Sequence, residues 1–217
     1  MKKAVLLPLV CDLLNAPLTA QGYRFLKSQE RYLKSVEGVR VWFEPNVTYW
    51  PSSDCCMLSP RMSAHVDAVE DLIAKHETRN ADRHSPTFTV PSDNLEGAKF
   101  WSISSVVEFE SFADEIVDVV SNVCLPILNN WSDRERLATS VIANHPNMFH
   151  SELHRLTVLF AYLGDYESDE MQSQMLKSID LESIARSRCQ LDPTYRQLLK
   201  SMIPDIPLIA EAGIDLQ

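Results

Sequence analysis

Residues 23–49 read YRFLKSQERYLKSVEGVRVWFEPNVTY, and this stretch decides the fold class. Tyr23, Phe25 and Lys27 alternate with Arg24 and Leu26, then Arg31–Val36 follows after a short polar break at Ser28-Gln29. Gly38 precedes Val39–Tyr49, in which the odd positions Val39, Val41, Phe43, Val47 and Tyr49 are apolar. Period-two alternation with hairpin-length breaks predicts consecutive antiparallel strands. Tyr23, Tyr32, Tyr49, Trp42 and Trp50 concentrate in the same region, which fits a half-buried sheet.

Working outward toward the C-terminus, a further strand is expected around Cys55–Ser63, interrupted by Pro60 and therefore placed at an edge. His65–His76 carries Val66, Val69, Leu72 and Ile73 at helical spacing. Glu77–Gly97 reads as a long polar loop with a small strand at Thr87–Val90, and Phe100–Phe109 as a strand returning to the sheet. From Ser111 the period changes. Phe112, Ile116, Val119, Val120, Val123, Ile127 and Trp131 form one helical stripe, and Ser132 with Glu135 reads as a capping box for the next helix. Helices are then expected at Ser151–Leu163, closed by Gly164, and near Glu167–Ser178, Leu181–Cys189 and Pro193–Ile203. Strands first and helices after is the order of an α+β fold. The expectation is a helix and antiparallel sheet over 1–109, and a helical region over 110–217 packed on that sheet as one domain.

Toward the N-terminus, Lys2-Lys3 followed by Ala4–Val10 has the charged and apolar parts of an export signal. The apolar run is short and meets Cys11 and Asp12, while Leu6, Leu9, Val10, Leu13 and Leu14 share one side at helical spacing with Pro8 suited to a first turn. A first helix of a cytoplasmic protein is the reading taken. No uninterrupted apolar run of eighteen residues occurs, so a membrane-spanning helix is excluded at this stage.

The 217 residues are 45% hydrophobic and carry a net charge of −10, enough for a real core and adverse to a bulk polyanion binder such as a nucleic-acid protein. The glycines, Gly22, Gly38, Gly97, Gly164 and Gly213, never lie close together, which excludes Gly-rich phosphate loops and a G-x-S-x-G elbow. Cys11, Cys55, Cys56, Cys124 and Cys189 are odd in number and form no C-x-x-C, so free and mostly buried thiols in a reducing compartment are expected.

Catalytic chemistry finds little support. His150 and His154 are four apart on a helix and are the candidate metal ligands, but His150-Ser-Glu152-Leu-His154 is not H-E-x-x-H and no third ligand stands at a recognised spacing. Asp54 beside Cys55–Cys56 opposes thiolate formation. No cofactor and no catalytic residue are assigned.

The acids are more informative. Between Lys99 and Arg134 no Lys or Arg occurs, while Glu110, Asp114 and Asp118 follow one another at i, i+4 spacing opposite the apolar stripe. Asp165, Glu167, Asp169 and Glu170 crowd the start of a later helix. Acids favour helix N-termini and aid solubility, which accounts for such groups without any partner. The functional alternative is a docking surface for a basic protein, with Trp42 and Trp50 as interface anchors. For each tryptophan taken singly, packing in the sheet is the competing reading.

A helix ending before Gly22-Tyr23-Arg24-Phe25, an antiparallel sheet, and a helical tail carrying Ala161-Tyr-Leu-Gly164-Asp-Tyr166 resemble small bacterial α+β proteins, some of them immunity proteins encoded beside toxins. That resemblance implies neutralisation of a cognate toxin, possessing a basic domain, by occlusion. It carries over no functional residues, because immunity proteins share no active-site motif. The alternatives are a metal-dependent hydrolase using His150 and His154, and a regulatory or scaffold module for protein interaction, with no membrane partner.

Overall fold

The computed structural model describes residues 1–77, 85–95 and 100–133, together with residues 136, 137, 140, 141, 197, 200, 201 and 204. The fold is α+β, with an N-terminal helix, antiparallel sheets and a helical segment at 106–131. The chain divides into two compact units, Met1–Ala64 with Thr89–Met148, and His65–Phe88 with Phe149–Gln217. The change from strands to helices, between Ile103 and Val106, falls inside the first unit.

Helix α1, Lys3–Ala20, buries Leu6, Val10, Cys11, Leu14 and Leu18 along one side. Its end is set by Gly22 at φ +85°, where a side chain would be strained. The Gly22 N–H donates to Thr19 O and the Tyr23 N–H to Leu18 O, the two bonds of a Schellman cap. Pro8 lies in the second turn, not the first, and withholds the N–H that would bond the Ala4 carbonyl. By length and composition α1 is apolar enough to cross a membrane, because Lys3 and Asp12 are its only charges. The exclusion of a spanning helix, which counted uninterrupted runs, is corrected on that point.

Strands β1 (Arg24–Leu26), β2 (Arg31–Val36) and β3 (Val39–Glu44) form an antiparallel meander. The two-residue turn Glu37-Gly38 has Gly38 at φ +73°, the left-handed conformation such hairpins need. The expected single strand Val39–Tyr49 is broken. Pro45 cannot donate to the ladder, and Asn46 takes φ 46°, a region asparagine tolerates. The Asn46 side-chain amide donates to Ser59 O at 2.9 Å, so the kink is pinned. The chain thereby steps from the sheet ordered β1-β2-β3-β6-β7 into a second sheet ordered β4-β5-β8.

Strands β4 (Val47–Trp50), β5 (Cys55–Leu58) and β8 (Trp101–Ile103) make that second sheet, all antiparallel. The expected Cys55–Ser63 strand is two strands, because Ser59-Pro60 separates β5 from β6 (Arg61–Val66). Strand β7, Phe88–Pro91, matches the small strand expected at Thr87–Val90.

Two expectations move at the next junction. The strand expected over Phe100–Phe109 stops at Ile103, and helix α3 begins at Val106, not after Ser111. The Ser105 hydroxyl accepts the Glu108 N–H at 3.2 Å, an N-cap that outweighs the weak alternation. Helix α3, Val106–Val119, continues through a single wide turn at Val120–Cys124 into α4, Leu125–Trp131. That π turn takes in one extra residue, so burial passes from Ile116 and Val120 to Cys124, Leu128 and Trp131. Val123 and Ile127, placed on the stripe by an unbroken helical period, are only half-buried. The Ser132 hydroxyl donates back to Asn129 O at 2.9 Å, and Asp133 supplies the carbonyl that accepts the Leu137 N–H. Arg136 and Leu137 are helical, and Glu135 of the expected capping box lies outside the described residues.

Within the first unit α3 packs on α1 and β8, and α4 on β3. The Tyr32 hydroxyl donates to Cys11 O at 2.7 Å, tying β2 to α1, and Phe25 lies against Tyr32 with ring centroids 4.9 Å apart. In the second unit α2, Asp67–Glu77, starts two residues after the expected His65 because His65 and Val66 are still in β6. There the buried Glu70 accepts the Thr87 hydroxyl at 2.9 Å, and Thr87 Oγ1 accepts the Val66 N–H at 3.0 Å. His65 lies between Ser85 O at 2.7 Å from Nδ1 and Asp67 Oδ1 at 3.2 Å from Nε2. The helices expected over 151–189 lie outside the described residues, and of Pro193–Ile203 only Gln197, Lys200 and Ser201 are described, all helical.

Candidate functional site: the outer face of helix α3

The acids of α3 divide by what they hold. Glu108 closes the helix start: its carboxylate accepts the Ser104 N–H at 2.7 Å and the Ser104 hydroxyl at 2.6 Å. These bonds favour the ionised form and hold its pKa below the ordinary carboxylate value, the hydroxyl contributing most. Glu115 turns toward the sheet and accepts the Trp101 indole N–H at 3.2 Å. Both therefore have structural duties.

Glu110, Asp114 and Asp118 have none of that kind. Each step of four residues turns about 40° around a helix and rises about 6 Å, so the three line one outer strip. All three are exposed. Asp118 accepts the Asn122 amide at 2.6 Å, and among the described residues no Lys or Arg pairs with Glu110, Asp114 or Asp118. Packing on α1 and β8 holds this strip on a rigid base.

An apolar rim adjoins the helix start. The Met1 amino nitrogen lies 2.9 Å from both Asp54 O and Ser104 O, which brings the β4–β5 turn next to the residues before α3. Trp50, which precedes that turn, is 48% exposed, and Val106 and Val107 are 41% and 75% exposed. Sequence reasoning misses Val106 and Val107 as candidates, because without the Ser105 cap they read as strand residues.

The remaining candidates fall elsewhere. Trp42 is 2% exposed and donates its indole N–H to Glu44 Oε1 at 3.0 Å, so the sheet-packing reading holds for it and an exposed anchor there is corrected. Asp165, Glu167, Asp169, Glu170, His150 and His154 lie outside the described residues. Among the described residues no group of His, Cys, Asp and Glu is arranged to hold a metal.

The thiols are quiet. Burial pushes Cys11 up to about 11, with Asp12 and Glu30 adding to it, and burial alone pushes Cys124 up to about 12. Cys56 is also raised, chiefly by burial. A thiol held protonated is a poor nucleophile.

Comparison of the chain with protein-family models, curated proteins and solved structures finds no match in any of the three.

Proposed function

We propose that this is a cytoplasmic binding protein that presents the outer face of α3 to a basic protein, most concretely an immunity protein occluding a cognate bacterial toxin. The observation that carries the reading is the strip Glu110, Asp114 and Asp118, exposed and lacking a described basic partner on a helix fixed at both its start and its inner face. Like charges at i, i+4 destabilise a helix, so three in succession oppose folding and favour association with a cation. Trp50, Val106 and Val107 supply apolar area beside the charge, and a buried tryptophan is the side chain that most often dominates an interface. Steering by carboxylates accelerates encounter with a positive surface by about 10–1,000-fold at low salt.

The test uses the full chain and the protein encoded by the adjacent reading frame. Co-expression is expected to protect cells from that protein, and association kinetics to slow with rising salt. Changing Glu110, Asp114 and Asp118 together to Lys is expected to lower the association rate at least about tenfold at low salt. Protection without any change in that rate would remove α3 from the interface; no complex at all would remove the immunity reading.

A further inference from the structure

We draw no further inference here: the strongest candidate, the buried side-chain cluster of His65, Glu70 and Thr87 where β6 runs into α2, is held by protein groups, His65 by Ser85 O and Asp67 and Glu70 by the Thr87 hydroxyl, so nothing among the described residues points to a ligand there.

Discussion

Neutralising the α3 strip should make the protein more stable, and this is the sharpest check on the idea that its charge serves something other than folding. The perturbation is Glu110→Gln, Asp114→Asn and Asp118→Asn together. Each replacement keeps size and nearly keeps helix propensity, and the new side-chain carbonyl at position 118 can still accept the Asn122 amide, which donates to Asp118 at 2.6 Å in the parent. Two like-charge pairs disappear, Glu110 with Asp114 and Asp114 with Asp118, each worth roughly 0.2–0.5 kcal/mol at this spacing. The outer pair, about 12 Å apart along the axis, is screened at physiological salt and adds little. Glu110 is beyond the first turn of α3, so little helix-dipole benefit is forfeited. The expected gain is about 0.4–1 kcal/mol at roughly 0.01 M salt, shrinking toward nothing near 1 M, where the Debye length is about 3 Å. Urea unfolding followed by tryptophan emission suits the measurement, because Trp42, Trp50, Trp101 and Trp131 all lie in the first unit. A variant as stable as the parent at low salt, or less stable, would mean that the three carboxylates are already compensated and hold no charge in reserve for a partner.

The local geometry sets two more outcomes. Ser105→Ala removes the acceptor of the Glu108 N–H and should cost about 1 kcal/mol in the same urea assay, with Ser105→Asp retaining most of the stability; an Ala variant equal to the parent would displace Ser105 as the start of α3. Iodoacetamide applied to the folded protein at pH 8 should leave Cys11 and Cys124 unmodified by mass spectrometry until urea is added, since thiols pushed up to about 11 and about 12 are almost wholly protonated there; rapid native labelling of either would contradict its burial.

How much of the fold is legible in the sequence depends on whether one signal acts alone. The meander β1-β2-β3 is readable because alternation, the Ser28-Gln29 break and Gly38 agree. Position 46 is not, because Val39–Tyr49 keeps its alternation through Pro45-Asn46 although the chain changes sheets there; the left-handed Asn46 and its bond to Ser59 are features that periodicity does not record. The π turn at Val120–Cys124 hides for a similar reason. A helical stripe drawn with one period fits Phe112–Val120 and Leu125–Trp131 separately, and only the one-residue slip between them distinguishes Val123 from Cys124. At Ser105 the signal is in plain view: Ser-x-x-Glu marks a helix start, and the apparent alternation of Phe100–Phe109 conceals it.

The acidic strip and the buried arginine pose the same physical problem with opposite signs. Sequence alone finds the strip, since i, i+4 spacing and the absence of Lys and Arg from 100–133 are one-dimensional facts. It cannot find Arg31, because a charged residue in an alternating strand normally marks the solvent face, and nothing local says that this one is 8% exposed over a buried indole. Trp42 reads as an anchor for the converse reason: nothing local says that it is 2% exposed, with Arg31 over its ring and its indole N–H bonded to Glu44. In both places a charged group meets a local cost, three carboxylates crowded together outside and one guanidinium whose buried Nε has no acceptor. Folding selects against the crowded carboxylates, whereas binding a cation at α3 would relieve them. The cost of the strip and its use are separable, because α3 neutralisation should raise stability at low salt while lowering the salt dependence of association.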